Sequence, residues 1–390
     1  MSKLEKLYLD LCMCTIFRSL LEEPLFVYFE SYVKSKSLDE KVKAYAAIVS
    51  CIYENGGSLT DLVRRLAFQN ENVYIKSCAA GNPIVEEISI SLSRELSVLE
   101  EFASLSCDDF MSDMALDYVS PFSHYRPNLA EEYALRINNV GKIGYGIYSD
   151  SIMFRPDKTG RILPITSPDK TSLDYFVGYD SERARVVENT RAFIDGSPAQ
   201  NVLLCGDAGT GKSSTVKAVV NFFADRGLRL IELRKDQLTL LPEIMGEICN
   251  NPLKFIIFID DLSFNKSDDN FSMLKAALEG SASARAENAL IYATSNRRHI
   301  VRENFEDREG SDVHINDAMQ EKLSLSERFG LVVYFGKPNK QLYLKIVKEL
   351  AERNNISIDE HELEFKAEEF ALRRGTRSAR CAEQFIKTLK

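Results

Sequence analysis

The chain has 390 residues, of which 45% are apolar and 27% charged, with a net charge of −9, a composition that suits two or three globular domains. No apolar run nears the roughly 18 residues needed to cross a bilayer, and Lys3, Glu5, Lys6 and Asp10 interrupt any signal-peptide core, so a cytoplasmic protein without membrane contact is expected. Residues 1–170 carry 18 basic and 24 acidic side chains, and 171–390 carry 31 and 34, so neither half is a basic body with general affinity for nucleic acid.

In chain order, residues 1–136 read as an all-α domain. "SLDEKVKAYAAIVSCIYENGG" starts with Ser37 as a cap and Glu40 three residues on, follows a helical apolar period, and stops at Gly56-Gly57. "SLTDLVRRLAFQN" and "PIVEEISISLSRELSVLEEFASL" keep the same period. No catalytic constellation stands out here. Residues 137–170 alternate short β-prone runs with Gly, Pro and Asp, which predicts a β-hairpin or extended connector. The eight cysteines form no CxxC pair and read as reduced, buried thiols, and the four histidines lack metal spacing.

From 171 the pattern becomes α/β. Strands are expected at 201–205, 228–233, 254–259, 289–294 and 331–335, with helical stretches between, which indicates a five-stranded parallel sheet over 171–337. Residues 338–390 read as a helical appendage. The run "VLLCGDAGTGKSSTVKAVV" places a glycine-rich turn between a strand and a helix. Its Gly206, Asp207, Ala208, Gly209, Thr210, Gly211, Lys212, Ser213 and Ser214 fit the Walker A pattern. Glycines let successive N–H groups face phosphate oxygens, and the helix adds its positive end. Lys212 supplies a point charge for the β- and γ-phosphates of ATP, and Ser213 an oxygen for Mg²⁺. "FIIFIDDLSF" ends an apolar strand on two carboxylates. Adjacent buried acids need a cation, so Asp260 is assigned to Mg²⁺ and Asp261 to the attacking water as general base.

Together these motifs resemble the AAA+ superfamily of ATPases, and 170–390 resembles one uncharacterised bacterial branch of predicted AAA+ ATPases, a domain of unknown function. The resemblance implies a P-loop α/β core with a helical lid at 338–390. It makes Asn296 of "YATSN" the residue that orients the attacking water and Arg328 of "SLSERFG" an arginine finger, the alternative for Arg328 being a surface pair with Glu327. Arg380, with Arg377 second, becomes a phosphate contact from the lid, and Val177 and Gly178 of "FVGYD" lie beside the adenine. Most members carry Glu where this chain has Asp261, which is shorter by one methylene, about 1.5 Å, so slow turnover stays open. The resemblance also implies homo-oligomers through heterologous interfaces. Three roles remain open: a remodelling ATPase whose N-terminal domain grips a protein client, a nucleic-acid accessory protein of helicase-loader type, and a slow nucleotide switch. The acidic first half disfavours nucleic acid, although Arg297, Arg298 and His299 form a possible contact for a partner or nucleic acid.

Overall fold

The computed structural model describes residues 1–262, 274, 278, 286–296 and 328–389. The chain divides into two units, Met1–Asp150 and Ser151–Lys390. The first is helical among its described elements: α1 (Lys3–Cys12), α2 (Pro24–Lys34), α3 (Leu38–Glu54), α4 (Leu59–Gln69), α5 (Val73–Ala79), α6 (Glu86–Ala103), α7 (Cys107–Met114), α8 (Leu129–Asn138) and α9 (Val140–Ile143). The α3 start is the expected reciprocal cap: Ser37 Oγ accepts from the Glu40 amide, and Glu40 accepts from the Ser37 amide. Aromatic rings fill the core. Phe102 packs on Phe26 and Phe29 with centroids 5.0 and 4.8 Å apart.

One buried charge organises this unit. Glu95 of α6 is 5% exposed. Its carboxylate accepts the backbone N–H groups of Thr15 (2.7 Å), Ile16 (3.0 Å) and Phe17 (2.9 Å) and the Thr15 hydroxyl (2.9 Å). Those amides lie just before a 3₁₀ turn, Arg18–Glu22. The side chain therefore satisfies main-chain donors that no local helix bond would reach.

The second unit contains β1 (Met153–Pro156), β2 (Ile162–Pro164), α10 (Asp180–Ile194), β3 (Val202–Gly206), α11 (Lys212–Phe223), β4 (Leu228–Leu233), α12 (Leu241–Ile248), β5 (Lys254–Ile259), β6 (Ala289–Ser295) and β7 (Leu331–Phe335). The strands lie in the order β2-β1-β4-β5-β6-β3-β7. β3 to β7 are parallel neighbours and form the expected five-stranded core. In β3 and β5 the continuous apolar runs are buried on both faces, as parallel strands require. Three helices, Lys340–Arg353, Glu360–Arg374 and Ala379–Thr388, close the chain around their own apolar cluster, into which Val177 packs.

The segment 137–170 takes two forms. Val140–Ile143 and Gly146–Ser149 are helical turns of the first unit. β1 and β2 pair as an antiparallel hairpin, and β1 pairs in parallel with β4. The hairpin thus extends the core sheet to seven strands instead of lying outside it. The cysteines depart from expectation as well. All eight are free thiols, but only Cys14, Cys205 and Cys381 are buried, and Cys249 at the end of α12 is exposed.

Removing the Glu95 carboxylate leaves several buried donors unpaired. Glu95→Ala is expected to destabilise the first unit by roughly 3 kcal/mol. Hydrogen exchange at the Thr15, Ile16 and Phe17 amides checks this, with loss of protection expected there first.

Candidate functional site

β3 ends where its neighbour comes too close for a side chain. Gly206 has φ +135°, and a Cβ on it would lie 2.0 Å from the Phe335 carbonyl oxygen of β7. The Asp207 amide then donates to that same oxygen at 3.1 Å. The chain turns through Gly209 (φ +76°) and Gly211 (φ +89°) before α11 begins at Lys212. The loop therefore stands at the C-terminal ends of the parallel strands, at the N-terminus of a 12-residue helix, where anions are stabilised.

Lys212 is only 5% exposed. Its ammonium donates to the carbonyls of Gly206 (3.1 Å) and Asp207 (2.7 Å) and to Asn296 Oδ1 (3.0 Å). Burial pushes its pKa down, opposed by Asp207, Cys205, Asp260 and Asp261. Asn296 Nδ2 in turn donates to Asp261 Oδ1 at 2.8 Å. On the other side Ser213 Oγ donates to Asp260 Oδ1 at 2.6 Å, and Thr294 Oγ1 donates to the same oxygen at 2.6 Å. Asp261 has a left-handed backbone, φ +53°, and its amide donates to Thr294 Oγ1 at 2.9 Å. Three strand ends and one helix start are thereby joined in one polar network.

Two cavities meet at the loop. One, of about 250 Å³, is lined by Ala208, Gly209, Gly211, Lys212, Ser213, Ser214, Asp260, Asp261, Thr294, Asn296 and Arg380. The other, of about 320 Å³, shares Gly209, Gly211, Ser214 and Arg380 and adds Thr210, Tyr175, Phe176, Val177, Tyr179, Arg183, Ile346 and Leu350 among its walls. Both are lined mostly by polar atoms, and the second adds aromatic and aliphatic side chains to them. Gly178 has φ +72°, a backbone that favours glycine, and a Cβ on it would meet the Leu342 side chain at 2.4 Å. Its carbonyl accepts from the buried Arg183 guanidinium, which also pairs with Asp180 at 3.0 Å and stands 5.0 Å over the Phe176 ring. Burial lowers the Arg183 pKa and pushes Tyr179 up to about 12.

The network and the two cavities bring together Gly206 to Ser214, Asp260, Asp261 and Asn296; Thr294 joins the network, and Tyr179 and Arg183 join only the wall of the second cavity, three residues that the sequence does not single out. One premise is corrected. Asp260 and Asp261 are exposed, so the expectation that burial of adjacent acids demands a cation does not hold. Their common feature is convergence on hydroxyl and amide donors. Arg380 lines both cavities, and its amide donates to the Gly209 carbonyl at 3.2 Å. Arg377 lies elsewhere, in a two-bond pair with Glu368 at 2.9 and 2.7 Å. Arg328 is half-buried and lines neither cavity. It precedes β7, whose Phe335 end, not its Leu331 end, pairs with Gly206. Arg297, Arg298 and His299, and the residues before Arg328 in "SLSERFG", lie outside the described residues.

Residues 149–390 match the family described as "Protein of unknown function (DUF815)". The chain belongs to this family. The match takes in the hairpin, the loop, both cavities and the C-terminal helices, and leaves residues 1–148 of the first unit outside it. Two solved structures of RuvB from Thermotoga maritima are similar at a TM-score of 0.34 and 14% identity: an arginine-to-alanine variant, with 57% of this chain and 72% of that one covered, and the Holliday junction branch migration motor, with 56% and 71%. No curated protein matches. Among the described residues of this DUF815 protein, no helix is long and apolar enough to cross a membrane.

The Arg377–Glu368 pair has a pH signature. Arg377 holds the Glu368 carboxyl below its ordinary value of 4.5, and Glu368 raises Arg377. A lowered acid contributes stability above its unfolded pKa and loses it as pH falls through the folded one. Arg377→Ala is therefore expected to lower the thermal midpoint at pH 7, with the gap to wild type narrowing as pH falls below 4.5. Melts across that range measure it.

Proposed function

We propose that the protein binds ATP with Mg²⁺ in the two joined cavities and hydrolyses it to ADP and phosphate. The observation that carries this reading is the continuous network from the Gly206 and Asp207 carbonyls through Lys212 and Asn296 to Asp261. It ties the loop that would hold phosphates to the carboxylate that would act on water. The loop amides and the α11 N-terminus would bind the triphosphate, and the wall around Phe176, Val177 and Tyr179 suits a planar base. Arg380 reaches both halves. Ser213 and Asp260, whose oxygens already converge, form a hard donor pair suited to Mg²⁺. The ion, when bound, would neutralise charge on the β- and γ-phosphates.

In this reading Asn296 orients the Asp261 carboxylate by its Nδ2 bond, and Asp261 takes the proton of the attacking water. The water-facing exposure of both residues is compatible with that role. Lys212 would exchange its bonds to main-chain carbonyls for bonds to phosphate oxygens. Its lowered pKa reflects burial, which an adjacent polyanion would offset. Coupling of hydrolysis to a protein client through the first unit is the role we favour. The acidic balance of that half argues against a nucleic-acid accessory role, and the polar network around Asp261 argues against a switch that never hydrolyses.

Lys212→Ala is expected to abolish ATP binding in calorimetry. Asp261→Asn is expected to retain ATP affinity and to lose turnover by about 10²–10⁴-fold. Wild-type turnover in the Asp261→Asn protein would remove Asp261 from the reaction.

Arg328 belongs to a second expectation. β7 is an edge strand of the described sheet, and β3 runs parallel to it with the glycine-rich loop at the end opposite to Leu331, which Arg328 precedes by three residues. That polarity favours action on a neighbouring subunit's nucleotide, where such an arginine contributes on the order of 10³–10⁵ in rate in GTPase systems. Head-to-tail contacts of this kind close into rings or continue as helices. Turnover per subunit is expected to rise with protein concentration. Arg328→Ala should keep ATP affinity and lose turnover, and mixing it with Lys212→Ala should restore part of it. A concentration-independent monomer by light scattering with ATP present would count against assembly.

A further inference from the structure

We propose that Thr294 is a positioning residue for both carboxylates, a role that rests on the ATPase reading above. Thr294 sits on β6, and its side chain is almost wholly buried at 2% exposure. The hydroxyl acts in both directions. It donates to Asp260 Oδ1 at 2.6 Å and accepts the Asp261 amide at 2.9 Å. A single oxygen thus addresses two consecutive acids in opposite senses.

The main chain around it is fixed by pairing. Thr294 pairs with Leu204 of β3, and its carbonyl accepts the Leu262 amide at 2.7 Å. The hydroxyl is therefore held at a set height above the strand ends. At Asp260, both of its neighbours, Ser213 and Thr294, use Oδ1. Among the described residues, Oδ2 is the oxygen this leaves for a cation or its waters. At Asp261 the hydroxyl does something different. The backbone there is left-handed, φ +53°, a conformation that non-glycine residues adopt only at a cost, with Asp and Asn the most tolerant. The amide bond to Thr294 holds that turn. The turn brings Oδ1 of Asp261 to Asn296 Nδ2 at 2.8 Å.

Valine matches threonine in shape and keeps the β-branch that suits a strand, but it has no hydroxyl. Thr294→Val would leave the Asp261 amide without its acceptor and take one of the two donors from Asp260. Thr294→Ser would keep both bonds. The comparison therefore isolates the hydroxyl from the packing.

The experiment measures wild type, Thr294→Val and Thr294→Ser, with melts to show that each is folded. With saturating ATP, turnover of Thr294→Val is expected to fall at least about tenfold, consistent with loss of hydrogen bonds to a charged group, and its half-saturating Mg²⁺ concentration should rise. ATP affinity in EDTA should stay within about twofold of wild type, because the hydroxyl addresses only the carboxylates. Thr294→Ser should recover most of the turnover. Hydrogen exchange at the Asp261 amide, read without nucleotide, should be faster in Thr294→Val and near wild type in Thr294→Ser. Unchanged exchange at Asp261, or a folded Thr294→Val with wild-type turnover and Mg²⁺ dependence, would overturn the inference. Equal loss in Thr294→Ser and Thr294→Val would overturn it too, since shape and not the hydroxyl would then matter. A wild-type protein that turns over no ATP would instead overturn the ATPase reading, and the catalytic part of this role with it. The exchange rates would still decide whether the hydroxyl holds the turn.

Discussion

The arrangement of the second unit depends on the contact between Gly206 and the Phe335 carbonyl. Two parallel strands separate at that point, and β3 leaves the sheet by passing its α-carbon close by the end of β7. A Cβ would stand 2.0 Å from the carbonyl oxygen, with the carbonyl carbon at 2.7 Å and the Phe335 nitrogen at 3.0 Å. No rotamer relieves a clash with backbone atoms. The absent side chain lets Asp207 donate to Phe335 and lets the chain curl over α11. The position of Lys212, the cavities on either side of the loop, and the reach of Arg380 all follow from where that curl begins.

Lys212 then carries an electrostatic constraint of its own. An ammonium that is nearly inaccessible loses hydration and must replace it with oxygens. Here three acceptors do so, two main-chain carbonyls of the loop and Asn296 Oδ1. Its own partners are dipoles, not carboxylates, so burial lowers its pKa more than Asp207, Asp260 and Asp261 raise it. The site is thus a cation-centred structure bordered by exposed acids. Polyanion binding suits such a centre, because it supplies the charge that the dipoles only approximate.

Much of this was legible in the sequence, and the reasons are specific. The expected bounds of β4, β5 and β7 match to the residue and those of β3 and β6 to within one; β3 and β5, buried along their lengths, read as near-continuous apolar runs. The glycine-rich turn is legible because three glycines and a lysine at that spacing mark a tight strand-to-helix turn, which the structure forms at Gly206 to Lys212. The hairpin's attachment to β4 was not, since pairing of β1 with β4 is a tertiary choice that a short run such as "MFRP" does not encode. The exposure of Asp260 and Asp261 was misread because an apolar strand suggests burial to its end, while the chain leaves the sheet at that point. Thr294 was passed over as an ordinary strand residue. Its signal was a hydroxyl two positions before Asn296, on the strand adjacent to the acids, which becomes readable only once β5 and β6 are known to be neighbours. Arg377 and Arg380 could not be separated by spacing alone. Glu368, nine residues from Arg377 in sequence, decides between them by pairing with it.

The left-handed turn at Asp261 bears on why the residue there is an aspartate. In the ATPase reading, a carboxylate in this place must meet Asn296 and also face water. An extended backbone would favour a longer side chain, which the resemblance to AAA+ proteins leads one to expect. A left-handed backbone re-aims the Cα–Cβ bond, so reach and direction change together. Aspartate tolerates that conformation better than glutamate, because its short side chain can bond locally. Here the bonds that hold the residue come from the neighbouring strand and its end, through its amide to Thr294 and through Oδ1 to Asn296. The missing methylene and the unusual φ are therefore parts of one arrangement. Lengthening the side chain without changing the turn would carry the carboxylate past Asn296, and straightening the turn without lengthening it would withdraw the carboxylate from the network.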